Sequence, residues 1–381
     1  MMKPLTNNAP GIFLIIALMV FAIIPEPFLP THAVGLRETL KRGGLNRADY
    51  ERNERGYYET LLDVGRSFGS LGETIRVADF RQNLGPAVHS DEDGRPILTT
   101  DDMREYILKP DVDEIAYGTI WQTNCRGLRD KEYTTGDSAN IIRIAILGDS
   151  ITAGWGVTRP ERFEDIWEVA LNQQIATTGK TVEVWNFAVP GHSPSQRWKH
   201  FEIAGKGVKF DLVVYEATTS DPGWDARRMA HFMARGLSLD DPLFARFFAV
   251  SKFQPTHSPY DNGELLKPWQ WTILQSIYEE MAARCEKAEI PLAYVLIPRV
   301  GSNLSKAEIR ALITRAHAAG FDFVADLSDA YADYSPEELA LSTGDYHPNI
   351  KGHSILARQW AESLAKWPAL AEKLSKKANT K

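Results

Sequence analysis

Hydrophobic positions along this chain change pattern near residue 140. Beyond it they come in short, nearly unbroken runs: Ile141 to Leu147, Val182 to Val189, Leu212 to Ala217, Leu292 to Pro298 and Phe321 to Leu327. Unbroken apolar runs of this length, rather than alternating ones, belong to strands buried on both faces. Phe163 to Ile175 and Lys306 to Ala319 read as helices between them. Strands alternating with helices predict an α/β fold, a parallel sheet covered by helices on both faces. Such sheets bind ligands at the carboxyl ends of their strands, so the residues just past each run matter most.

The remaining segments predict attachments to this sheet. Residues 34–138 read as an N-terminal extension of helical and short-strand character. Asn46 is an N-cap candidate, and Glu54 to Glu59 mixes aromatics with charge in a way that suits packing on the main domain. Asp93-Gly94 predicts a hairpin turn. The neighbouring Asp91, Glu92 and Asp93 lack the regular spacing of a calcium loop. Residues 115–135 read as short strands and turns. The sheet domain spans 139–370 and carries an insertion at about 222–270, part helix and part loop, with Trp224 and Trp269 inside it and Trp271 just beyond. It either caps the site as a lid or covers the sheet edge. Residues 371–381 form a basic tail.

At the N-terminus a short polar start precedes thirteen apolar residues, Ile12 to Ile24. That run fits a signal-peptide core better than a membrane span, which needs about 20 residues. Pro25, Pro27 and Pro30 follow, with a small-residue cleavage site after Ala33. Residues 1–33 are therefore expected to direct export, to the periplasm or beyond, as a cleaved signal or as a membrane anchor. With 381 residues, 44% hydrophobic and 24% charged, the chain has ordinary globular composition and ample core. A net charge of −7 argues against a nucleic-acid partner. Cys125 and Cys285 either form one bridge or remain thiols, with buried thiols the favoured reading. No His, Asp or Glu cluster has metal-ligand spacing, and no metal is expected.

Two segments carry chemistry. In Gly148-Asp149-Ser150 a strand breaks at a glycine and delivers a serine to what reads as the start of a helix. A serine hydroxyl needs a neighbouring base to become a nucleophile, and helix N-terminal N–H groups favour developing negative charge. Asp149 can cap the helix or brace the loop. A serine here could equally serve only as an N-cap. Nucleotide binding is excluded, because neither GxGxxG nor a P-loop Gly-Lys-Ser/Thr is present. The partner lies near the far end, in Gly344-Asp345-Tyr346-His347-Pro348-Asn349. Extended backbone puts Asp345 and His347 on one face, so the carboxylate can hold the imidazole as a triad requires. Asn349 can cap a helix beginning around Lys351. His353 reads as structural, and Arg299 as an ion-pair residue.

With these blocks in view, the chain resembles the SGNH subgroup of the GDSL-type hydrolases, over roughly residues 140–365. Gly148-Asp149-Ser150 matches the first family block. Trp185 to Gly191 resembles the second, and Asp345, His347, Pro348, Asn349, Gly352 and His353 resemble the last. The resemblance implies a three-layer, flavodoxin-like fold and esterase activity without a cofactor. It implies Ser150, His347 and Asp345 as catalytic residues, and Ser150 N–H and Gly191 N–H as oxyanion donors. The third family block supplies an asparagine to the oxyanion, but here Thr218-Thr219-Ser220-Asp221 places Ser220 in that position. Ser220 is the expected replacement, with Thr219 or a lid residue as alternatives. The spacing Asp-x-His also departs from the commoner Asp-x-x-His. Asp149, Thr219, Asp221, Trp224 and His192 are candidates for the substrate pocket, and Asp225 is another.

The expected function is an exported serine esterase acting on a short acyl group of a carbohydrate or other polar carrier. One rival keeps the chemistry but transfers the acyl group onto an exported polysaccharide. The other is a non-catalytic, glycan-binding scaffold. The expected partner is thus a small-molecule or glycan ester.

Overall fold

The chain approaches its main sheet through five short strands: β1 (Val88–Ser90), β2 (Ile97–Thr100), β3 (Tyr106–Leu108), β4 (Asp113–Ala116) and β5 (Thr119–Gln122). β1, β2 and β3 form an antiparallel sheet, and β4 and β5 a hairpin. Tyr117 and Gly118 turn that hairpin with φ of 51° and 77°. Two left-handed residues in a row are the geometry of a two-residue hairpin turn, which glycine adopts freely and tyrosine does not. Met103 and Leu128 from this region belong to the main core, so the segment packs onto that core.

The computed structural model describes residues 88–90, 96–136, 139–237, 239–251, 253, 259–302, 305–342 and 345–376. All belong to one compact unit, Ser70–Lys381. The apolar run Ile12 to Ile24, the Asn46 cap, Glu54 to Glu59, the Asp93-Gly94 turn, Gly344 and residues 377–381 of the tail lie outside the described residues. Among the described residues, no helix is long and apolar enough to cross a membrane.

The apolar runs form β6 (Ile141–Leu147), β7 (Thr181–Asn186), β8 (Leu212–Ala217), β9 (Leu292–Leu296) and β10 (Phe323–Asp326). They make one parallel sheet of order β10-β9-β8-β6-β7. That is the flavodoxin-like order, in which the connections reverse direction beside the first strand, here β6. Strand parity divides the side chains between two cores. Ala145, Leu147, Val213, Tyr215, Tyr294 and Leu296 face one layer. Ile142, Ile144, Ile146, Val214, Ala293 and Val295 face the other. Helices 194–204, 221–234, 270–287 and 306–319 cover the first layer, and helices 163–174, 350–364 and 368–375 the second. The three-layer α/β reading is therefore correct. The runs after Asn186 and Leu296 leave the sheet a few residues sooner than the apolar pattern suggests, because the chain there turns to form the site.

The insertion is mostly helical, with helices Asp221–Ala234, Pro242–Ser251 and Pro259–Leu266. Its Phe244, Phe247 and Leu266 are fully buried in the first core, so it thickens that layer. Both cysteines are free. Cys285 is buried, whereas Cys125 is exposed, which corrects the expectation of a bridge or two buried thiols. The last strands, β11 (Ala340–Ser342) and β12 (Asp345–Pro348), pair antiparallel outside the main sheet.

Candidate active site

Three strand ends and one outlying strand converge here. Ser150 lies just past β6, Gly191 past β7 and Ser220 past β8, while β12 supplies Asp345 and His347. β12 is extended, so Asp345 and His347 point the same way, and the His347 Nδ1–Asp345 Oδ1 distance is 2.7 Å. The His347 backbone N–H donates to the same oxygen at 3.1 Å. A carboxylate only accepts, so Nδ1 carries the proton and Nε2 is the accepting nitrogen. Nε2 lies 2.8 Å from Ser150 Oγ, although 197 residues separate the two in sequence. Burial pushes the Asp345 carboxyl up, but hydrogen bonds from the His347 ring and backbone and from the Trp155 indole outweigh it and hold it below the usual carboxylate range. Trp155 also stacks on the His347 ring at 5.4 Å between centroids, and Tyr117 of the β4–β5 hairpin stacks on Trp155 at 4.0 Å.

The serine does not open a regular helix, contrary to the sequence expectation. Residues 149–157 form a series of turns, and the next α-helix starts only at Phe163. Gly154 and Gly156 adopt φ of 77° and 76°, which a continuing helix cannot accommodate. Arg129 holds this irregular path. Its buried guanidinium donates to the carbonyls of Ala153 at 2.6 Å, Val157 at 2.6 Å and Gly154, and it sits 3.9 Å from the Trp121 ring centre. Asp149 braces the loop: its Oδ1 accepts from the Ile151 N–H at 3.0 Å. Gly148 is required by crowding, since a Cβ there would lie 2.1 Å from Glu216 Oε2 and 2.5 Å from Thr152 Cβ.

One buried guanidinium links all three strand ends. Arg197, on helix Pro194–Ala204, donates to the His192 carbonyl at 3.0 Å, the Glu216 carbonyl at 2.9 Å and Asp149 Oδ2 at 3.2 Å. It also pairs with Asp221 at 3.4 Å. Beneath the turn Glu216 accepts from the Asp149 N–H at 3.0 Å and from the Thr152 hydroxyl. Burial, and then the charge of Asp149, push the Glu216 carboxyl well above its ordinary value.

The pocket candidates separate into two groups. Thr219 and Ser220 are partly exposed, and Ser220 begins helix Asp221–Ala234 without a side-chain cap bond. Asp149, Asp221, Trp224 and His192 are buried, as Ser150 itself is. Asp221 is occupied by Tyr215 at 2.9 Å and Thr218 at 3.1 Å, and its carboxyl is raised mainly by burial. His192 Nε2 lies 2.9 Å from the Tyr106 carbonyl, and burial drives its pKa well down. Asp225 accepts from Ser195 Oγ at 2.7 Å. Arg299 approaches Asp149 Oδ2 at 3.7 Å. His353 is buried against Phe163, as a structural histidine would be. Among the described residues, no His, Cys, Asp or Glu group could hold a metal ion.

Arg197, Glu216, Arg129, Trp155 and Tyr106 escaped the sequence reading. Glu216 had a signal, being a lone carboxylate inside the apolar run Leu212 to Ala217. The others had none, because their partners lie far away in the chain.

Solved structures similar to this chain include an acetylxylan esterase from Geobacillus stearothermophilus, 16% identical over 59% of this chain and 95% of that one, with a TM-score of 0.37. A lipase/acylhydrolase from Enterococcus faecalis is 21% identical over 58% and 95%, with a TM-score of 0.32. The esterase EstA from Pseudoalteromonas sp. is 14% identical over 59% and 97%, with a TM-score of 0.35. No curated protein matches the chain at a significant level. The GDSL-like lipase/acylhydrolase family model matches residues 146–355, spanning Ser150, Gly191, Ser220, Asp345 and His347, and the chain belongs to that family.

Proposed function

We propose that this ester hydrolase is an exported serine esterase that removes a short acyl group from a carbohydrate or another polar carrier. The observation that carries the reading is the unbroken relay Ser150 Oγ–His347 Nε2–Asp345, at 2.8 and 2.7 Å. His347 takes the proton as Ser150 attacks the acyl carbon, and Asp345 stabilises the imidazolium. The N–H groups of Ser150 and Gly191, with the Ser220 hydroxyl, receive the charge on the tetrahedral oxygen. The C–O bond to the carrier then breaks, and His347 returns its proton to the leaving oxygen. Water, activated by the same histidine, attacks the acyl-enzyme and releases the acid. The apolar run Ile12 to Ile24 supports export.

Purified protein should hydrolyse an aryl acetate, and Ser150→Ala should lower kcat by at least about 10⁴. Intact-mass measurement of the stalled acyl-enzyme across acetylated glycans would identify the carrier. Equal rates for the wild type and Ser150→Ala would refute the reading. Faster turnover with an added sugar acceptor, accompanied by acylated sugar, would replace hydrolysis by transfer.

A further inference from the structure

Pro190 and Gly191 share one amide: the carbonyl of the first and the N–H of the second lie at its opposite ends. The Tyr106 hydroxyl, buried in the interior, donates to that carbonyl at 2.8 Å. We propose that Tyr106 is a positioning residue for the oxyanion hole, holding and polarising the Pro190–Gly191 amide so that the Gly191 N–H is already aimed at the charge that develops in the transition state. The inference rests on the esterase reading above, with Gly191 as an oxyanion donor.

Four observations support it. A hydrogen bond accepted by an amide carbonyl strengthens donation by its own N–H, most of all where water is excluded. Burial pushes the Tyr106 phenol up to about 12, so its proton stays in place as a donor. The amide on the other side of Gly191 is held as well: Arg228 donates to the Gly191 carbonyl at 3.2 Å and pairs with Glu105 at 2.5 Å. Glu105, next to Tyr106, sits at φ 61°, a conformation that non-glycine residues adopt only where the surroundings enforce it. Two adjacent residues of the N-terminal segment, both outside the family-matched range, thus act on the loop on either side of the donor, Tyr106 directly and Glu105 through Arg228. A dipole fixed in advance needs no reorganisation as the oxyanion forms.

Tyr106→Phe removes only the hydroxyl. Tyr133→Phe is the control, since it deletes the same kind of bond, to the Val184 carbonyl at 2.8 Å in β7. In Tyr106→Phe, kcat should fall about 10-fold with KM nearly constant, less than the 10²–10³ lost with a direct donor. Affinity for a boronate that forms a tetrahedral adduct on Ser150 should fall by a similar factor. Tyr133→Phe should leave both values unchanged at a comparable thermal midpoint. Equal effects in the two variants, or a change in KM alone, would overturn the inference. If Tyr106→Phe does not fold, a fluorinated tyrosine at 106 keeps the shape and donates more strongly. It should tighten boronate binding, and unchanged binding would count against the proposal. A wild type with no Ser150-dependent esterase activity would instead bring down the underlying reading.

Discussion

The two halves of the candidate site are built in opposite ways. On the acid–base side, the pairing contacts are local: Asp345 and His347 are two residues apart, and Asn349 caps its own helix through the Gly352 N–H at 3.1 Å, with Trp155 packing on the pair from a distant part of the chain. On the nucleophile and oxyanion side, nearly every supporting contact is distant. Asp149 meets Glu216 across 67 residues and Arg197 across 48, while Pro190 is held by Tyr106 across 84. The difference follows from what each half must do. A short extended strand puts Asp345 and His347 on one face by its own geometry. A sharp turn carrying a nucleophile leaves buried carbonyls and N–H groups that only side chains from elsewhere can satisfy.

Substitutions should separate the halves. The largest effect is expected for Asp345→Asn, which removes the carboxylate but leaves the loop intact. Its kcat should fall on the order of 10⁴, with the unfolding free energy measured in urea within about 1 kcal/mol of the wild type. A large loss of stability would mean the acid–base loop is not self-contained. Arg197→Met should do the reverse. It removes the cation beside Asp221 and the nearer of the two beside Asp149, where Arg299 remains at 3.7 Å, costing about 3–5 kcal/mol, and esterase turnover should fall with it. A folded, active variant would show that the distant contacts are dispensable.

Glu105 offers a pH test of the brace behind the oxyanion loop. Burial raises its carboxyl, but Arg228, then His231 and Arg235, hold it at about 2 against an ordinary 4.5. The folded value lies below the unfolded one, so the stabilisation is present above pH 4.5 and is lost as pH falls towards 2. At neutral pH Glu105→Gln should cost on the order of 3 kcal/mol. The gap from the wild type should close between pH 4.5 and 2 in acid unfolding curves, and a constant gap would assign the effect to packing. The smallest change belongs to the local half. Asn349→Ala should cost about 1 kcal/mol through the lost cap, measured by denaturant unfolding, with kcat changed less than about threefold.

These contrasts also explain what was legible beforehand. The five apolar runs, the strand-end positions of Ser150 and Gly191, and the pairing of Asp345 with His347 all follow from short-range pattern. The helix expected directly after Ser150 did not form, because Gly154 and Gly156 take left-handed conformations and Arg129 satisfies the carbonyls that a helix would have used. Asp221, Trp224 and His192 looked like pocket residues from their positions beside the motifs. Their partners Arg197, Arg228 and Tyr106, which hold them in the interior, could not be read from those positions.

The sequence by itself determined the α/β class, the strand ends that carry the candidate site and the closeness of Asp345 to His347, since each depends on a periodicity or a spacing of a few residues. Only the tertiary structure decided that Ser150 and His347 meet at 2.8 Å, that Arg197 joins three strand ends, and that Arg129 and Tyr106 brace the site from the N-terminal segment. The reason is physical. Buried polar groups must be paired wherever the chain brings them, and those partners are selected by the packed sheet, whose order no local pattern encodes.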